Sequence, residues 1–164
     1  MVQIQIEMKE LQILYAKNCG EVIVEIKKVL EETYGLKTNE FRISEPLDEA
    51  YNSGRDQYNA SILLRHLIQN KERDFALWVI DKDLYCENMN FIFGYASIGQ
   101  GAILSVHRLD STELIQKEAI HEIGHVMGLG HCKNDCVMQF SNSLEEAKLK
   151  PSTLCERCRG LLEK

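Results

Sequence analysis

The chain has 164 residues, 45% of them hydrophobic and 27% charged, which fits one globular domain with a real core and excludes disordered or fibrous chains. A net charge of −6 disfavours nonspecific association with nucleic acid or an anionic membrane, and no apolar run approaches a membrane span. The N-terminus Met1-Val2-Gln3-Ile4-Gln5-Ile6-Glu7 lacks a basic stretch followed by a long apolar one, so neither a secretory signal nor a pro-segment is expected, and the chain is expected to be cytoplasmic.

In chain order, Leu11–Ala16 reads as a strand and Gly20–Tyr34 as an amphipathic helix ended by Gly35. Asn39–Ile43 is a second strand candidate, and residues 44–54, with Pro46 and Gly54, read as loop. Asp56–Gln69 shows helical spacing through Ala60, Leu63, Leu64 and Leu67. Phe75-Ala76-Leu77-Trp78-Val79-Ile80 is a short apolar run, expected as a buried strand. Phe91–Val106, punctuated by Gly94, Gly99 and Gly101, reads as two strands or one bent edge strand. Asp110, with Glu113 three residues on, reads as the N-cap of a helix over about 111–127. Alternation of strands and helices predicts α/β packing on a mixed sheet.

That last helix carries the most informative stretch, His121-Glu122-Ile123-Gly124-His125-Val126-Met127-Gly128-Leu129-Gly130-His131. His121 and His125 sit four apart, so one helix face presents both. Gly128 can take a left-handed conformation, which would stop the helix and return the chain so that His131 joins them. Three histidines on zinc leave a fourth position open, which is a catalytic arrangement. Glu122 is the candidate catalytic residue, a general base for a zinc-activated water. A bare H-E-x-x-H is moderately specific; the extension through Gly128 to His131 makes the signal strong.

Cysteines follow at once. Cys132 and Cys136 form C-x-x-x-C, and Cys155 and Cys158 form C-x-x-C. Paired cysteines at such spacing, outside an oxidising compartment, read as a structural zinc clamp rather than disulfides. Four cysteinates would close the coordination sphere. In an extended segment the neighbours His131 and Cys132 point opposite ways, so each can serve a different metal. Cys19 and Cys86 read as bystanders. His66 reads as a surface residue, and Lys148, Lys150, Arg157 and Arg159 as a solvated basic face.

The long zinc motif, the four interleaved cysteines, Met138, and the stretch from Met138 through Glu146, Pro151 and Cys155 resemble the archaemetzincins. The resemblance covers about residues 118–160. It implies a metzincin-like α/β fold in a single domain over 1–164. Residues 1–127 would carry a twisted mixed sheet and the active-site helix, and 128–164 a short C-terminal subdomain with the methionine turn and cysteine zinc site. It implies two Zn2+ per chain, one catalytic on His121, His125 and His131, one structural on Cys132, Cys136, Cys155 and Cys158. Met138 would pack beneath the catalytic metal, and Phe91–Val106 would supply a substrate-lining edge strand. One departure is the spacing Lys133-Asn134-Asp135 between the first two cysteines, where the family has four residues. Another is Phe140, two residues after Met138, where some metzincins carry a tyrosine; Tyr95, Tyr85 and His107 are the alternative hydroxyl or imidazole donors.

The expected activity is zinc-dependent hydrolysis of peptide bonds in a peptide or protein substrate by a monomer, without nucleic acid or membrane partners. Two other functions fit parts of the pattern. A metal-dependent endoribonuclease can share the histidine spacing, but Glu122, Gly128, Met138, the cysteines and the acidic charge oppose it. A metal-stabilised binding protein with little or no proteolysis would not need Glu122.

Overall fold

A computed structural model describes residues 8–163; Met1–Glu7, on which the reading of the N-terminus rests, lie outside them. Strand β1 (Glu10–Tyr15) leads into helix α1 (Gly20–Tyr34) and strand β2 (Lys37–Ile43). Two short strands, β3 (Tyr51–Asn52) and β4 (Gln57–Asn59), precede α2 (Ala60–Asn70) and β5 (Phe75–Ile80). Next come β6 (Leu84–Tyr85), β7 (Gly94–Ser97) and β8 (Gly101–Ser105), then α3 (Thr112–Val126), α4 (Leu144–Leu149) and α5 (Glu156–Leu162).

The main sheet has the order β2-β1-β5-β8-β7. The first four strands are parallel, and β7 returns antiparallel along β8 as the edge. Strand alternation distributes the core to both faces. From β5, Leu77 and Val79 join Ile23, Ile26 and Leu30 of α1 and Ala119, Ile120 and Ile123 of α3. Ala76, Trp78 and Ile80 face the other way, onto Leu63, Leu64 and Leu67 of α2. The result is a three-layer α/β arrangement with the active-site helix on one face.

The expected glycine stop of α1 is present: Gly35 has φ 65° and its N–H bonds Glu31 O. Phe91–Val106 resolves into the two strands of a hairpin, β7 and β8. Its turn is tied to the end of α3 by Gly99 N–H donating to Val126 O at 2.8 Å.

Three boundaries differ from the sequence reading. Asp56–Gln69 is not helical throughout: Gln57–Asn59 pairs as β4, and the helix begins at Ala60 because Asn59 Oδ1 accepts from Ser61 N and Ile62 N. The loop 44–54 contains a short helical turn, Asp48–Ala50, and β3. The N-cap of α3 is Ser111, whose hydroxyl accepts from Leu114 N at 3.2 Å; Asp110 instead pairs with Lys148 at 3.0 Å.

Candidate active site

Helix α3 ends in a turn that builds the site. Gly128 adopts φ 102°, Gly128 N–H bonds His125 O, and Leu129 N–H bonds Gly124 O. These are the paired bonds of a Schellman stop, which needs a residue free to be left-handed. The chain reverses, and His131 meets His121 and His125 so that one nitrogen of each lies within 4.8 Å of the others.

Backbone carbonyls set the tautomers. His121 Nδ1 lies 2.9 Å from Val137 O and His125 Nδ1 lies 2.8 Å from Leu129 O. A carbonyl only accepts, so both Nδ1 atoms carry the proton and both Nε2 atoms present lone pairs. Those two Nε2 atoms face each other at 3.2 Å. Two acceptors that close repel unless a cation lies between them. The separation matches two nitrogens each about 2.0–2.1 Å from one tetrahedral zinc. Burial pushes the pKa of His121 down to about 3, with the Lys150 charge adding to it, and lowers His125 and His131. The neutral imidazoles so favoured are the metal-binding form.

Below the histidines, Met138 is fully buried. Helix α3 comes close to it at Gly124, where a Cβ would run into Met138 Sδ and lie 2.9 Å from Tyr34 Oη. The residue before Met138 is the one whose carbonyl orients His121.

The four cysteines also converge, with their sulfurs all within 4.8 Å of one another. Every cysteine among the described residues is a free thiol. Cys132 Sγ and Cys155 Sγ lie 3.8 Å apart, the spacing of two sulfurs each about 2.3 Å from one tetrahedral zinc. The N–H groups of Met138 and Cys155 point at Cys136 Sγ, as suits a thiolate. Hydrogen bonding from the Cys158 backbone pulls Cys155 down to about 6, whereas burial pushes Cys136 and Cys158 up. The three-residue spacing does not prevent convergence, because Lys133, Asn134 and Asp135 are exposed and bulge outward. Cys19 and Cys86 stand apart from both clusters, and burial pushes Cys19 up to about 12, an inert thiol.

The three histidines line a cleft of about 360 Å³ between β7, α3 and the segment after Met138. Glu122 lines it, 6% exposed. Burial, reinforced by the charge of Glu118 one turn earlier, pushes the Glu122 carboxyl up to about 8. Tyr95 and Phe140 line the walls, and Phe140 sits 5.1 Å from the His131 ring, centroid to centroid. Of the three alternative donors, Tyr95 alone lines the cleft; Tyr85 bonds Asn52 beneath Arg55, and His107 faces Asp81 O. His66 is half-buried beside Trp78 rather than free on the surface.

One residue moves from the periphery to the centre. Lys150, expected on a solvated basic face, is 3% exposed, lines the cleft, and lies 2.8 Å from Glu118 Oε1. Lys117 is buried as well, and its ammonium donates to the carbonyls of Ala147, Lys148 and Lys150 at the end of α4. Neither role had a motif to announce it. The usable signal was the i,i+1 placement of Lys117 and Glu118 on the inner face of an amphipathic helix.

Peptidase family M54 matches residues 6–164. The chain belongs to this family. Archaemetzincins are its relatives by sequence: that of Nanoarchaeum equitans is 42% identical over 133 residues, 81% of this chain and 78% of its own. That of Archaeoglobus fulgidus is 46% identical over 117 residues, 67% and 71% of the two chains. The crystal structure of the Methanopyrus kandleri archaemetzincin superposes with a TM-score of 0.88 at 32% identity, covering 99% of this chain and 97% of that one. The Archaeoglobus fulgidus structure, complexed with malonate, gives 0.84 at 36% identity, covering 92% and 98%. The chain is therefore a zinc metallopeptidase of metzincin type with an α/β fold, and its two ligand clusters are compatible with one catalytic and one structural zinc. Among the described residues no helix is long and apolar enough to cross a membrane.

Proposed function

We propose that this metallopeptidase hydrolyses peptide bonds with His121, His125 and His131 as the catalytic zinc ligands and Glu122 as the general base. The observation that carries the reading is the pair of Nε2 lone pairs facing each other at 3.2 Å beside the buried Glu122. Zinc held there supplies Lewis-acid polarisation and brings the pKa of a water to about 7. The chain's own groups do the rest. Val137 O and Leu129 O keep two imidazoles in the ligating tautomer. Glu122 takes a proton from the attacking water and delivers it to the leaving amine. Burial raises its pKa in the metal-free site, and the charge of a bound zinc would lower it again toward the ionised form a base needs. An extended substrate would pair along the free edge of β7, which gives affinity through the backbone.

The second assignment is a structural zinc on Cys132, Cys136, Cys155 and Cys158, tying α5 to the segment that carries His131 and Met138. On this reading residues 1–127 and 128–164 are the two parts of one domain, and the chain works in the cytoplasm as a monomer on peptide or protein substrates.

The test is peptide-library cleavage with metal counting by native mass spectrometry. Glu122→Gln is expected to lose about 10²–10⁴-fold in kcat and keep two zincs, His125→Ala to lose one zinc and all activity, and Cys155→Ser to lose the other zinc. Undiminished cleavage by Glu122→Gln would sink the general-base assignment. Wild-type protein with two zincs and no cleavage would overturn the hydrolytic reading in favour of a binding role.

A further inference from the structure

One end of the cleft is lined by buried polar groups. Glu118 and Lys150, 2% and 3% exposed, both line it. They lie 2.8 Å apart as an ion pair, and Glu118 Oε1 has no hydrogen-bond partner beyond it among the described residues. Ser141 Oγ lines the same cleft and is likewise buried without a partner. The Lys150 ammonium has three protons. One faces Glu118 and one the carbonyl of Gln139 at 3.4 Å. Its other neighbour, His121 Nδ1 at 3.4 Å, cannot accept, because that nitrogen's own proton goes to Val137 O. Beyond the ion pair, the end of the cleft thus offers a carboxylate lone pair, a free ammonium proton and a free hydroxyl. Buried polar groups left in that state are costly, and all three open onto the space a substrate would fill.

Resting on the peptidase reading above, we propose that this end of the cleft selects a substrate side chain bearing a neutral amide, glutamine or asparagine, read by Glu118, Lys150 and Ser141. An amide matches the three groups in chemistry and in charge. Its NH₂ donates to Glu118 Oε1, and its oxygen accepts from Lys150 Nζ or Ser141 Oγ. A cationic side chain would satisfy Glu118 and crowd Lys150. An anionic one would satisfy Lys150 and crowd Glu118 and Glu122. An apolar one would desolvate all three groups and pair with none, the situation in which sites built for hydrogen bonding discriminate most strongly.

The test uses zinc-loaded Glu122→Gln protein, so that capped pentapeptides bind without being cut, alongside cleavage by wild type. The peptides differ at one residue on either side of the central bond, as Gln, Asn, Leu, Met, Lys or Glu. Gln or Asn at one of the two positions is expected to bind at least about tenfold more tightly than Leu, Lys or Glu, with the same order in wild-type kcat/KM. Replacing the pair by apolar residues of similar length, Glu118→Leu with Lys150→Met, should invert the order toward Leu and Met. Ser141→Ala, which leaves the ion pair intact, should cut the amide preference about threefold or more and keeps the proposal testable if the double variant does not fold. An unchanged order in either variant, or a wild-type preference for Lys, Glu or Leu, overturns the proposal. Amide-selective binding without cleavage by wild type would overturn the hydrolytic reading alone, and cleavage without side-chain preference would overturn this inference alone.

Discussion

A methyl group on Gly94 would fall 2.5 Å from Glu122 Cγ and 2.6 Å from its Cδ. No real Cβ contact is that short, so the carboxylate can occupy its place only because the edge strand has no side chain there. Gly94→Ala is expected to displace Glu122 by a fraction of an ångström and lower kcat on the order of 10²-fold, with both metals retained; steady-state kinetics and metal counting check this, and full activity would show that Glu122 works from elsewhere. At this scale the sequence was most legible where residue type and spacing are tied to coordination chemistry: the three histidines converge, the four cysteines converge, and Gly128 is left-handed, as their spacing predicts. Gly94 was visible only as punctuation of an apolar stretch. Its reason for being glycine lies across the cleft, on another element, where no local pattern reaches. Lys150 failed for the same reason. Counted with nearby lysines and arginines it reads as surface, and only the fold sets it against Glu118, which is itself one helical turn from Glu122.

Helices α3 and α4 are joined by Lys117, whose ammonium collects three carbonyls, at 3.1, 3.3 and 2.7 Å, from the end of α4. The helix dipole and the orphan carbonyls of a helix end both favour a cation there. Burial lowers the Lys117 pKa, opposed by Glu113, so the site holds its charge against its surroundings. Lys117→Met should leave those carbonyls without partners and cost about 1–3 kcal/mol, read as a lower urea midpoint and faster amide exchange confined to 144–150. Exchange that is unchanged there would mean the carbonyls find water instead. Long elements with one apolar face were legible: α1 and β5 begin and end where their patterns place them. Short ones were not. β4 and β6 have three and two residues, too few for a period to register, and the N-cap of α3 is Ser111 rather than Asp110 because two good capping residues stand side by side and only one has the geometry to reach Leu114 N.

For the whole molecule, the buried titratable groups set how stability follows pH once the histidines are stripped of metal. His121 falls from 6.5 to about 3 on folding, so between those values the unfolded chain binds the extra proton and stability drops as pH falls. Glu122 rises from 4.5 to about 8, so over that range the folded chain holds the extra proton and stability drops as pH rises. Between about 4.5 and 6.5 the Glu122 slope opposes that of His121, to which the lowered His125 and His131 add. The stripped protein is expected to lose stability toward acid below about 6.5 and to show an alkaline limb from about 6.5 to 8. Urea titrations across this range check it, and Glu122→Gln should abolish the alkaline limb; a wild-type profile still climbing at pH 8 would contradict the sign of the Glu122 shift. The α/β fold with a mixed sheet was legible from alternating elements, but the order of the strands was not, since nothing in a sequence says that β5 lies between β1 and β8. One consequence concerns His131 and Cys132, which flank a single peptide bond yet serve different clusters. Ordering that bond for one ion orders it for the other, so each zinc should raise the other's affinity, and by the same factor in both directions. Loading would then follow free zinc as one steep step instead of two gradual ones, so that in a zinc-poor cell the molecules would divide into fully loaded and empty populations, with few half-loaded between them.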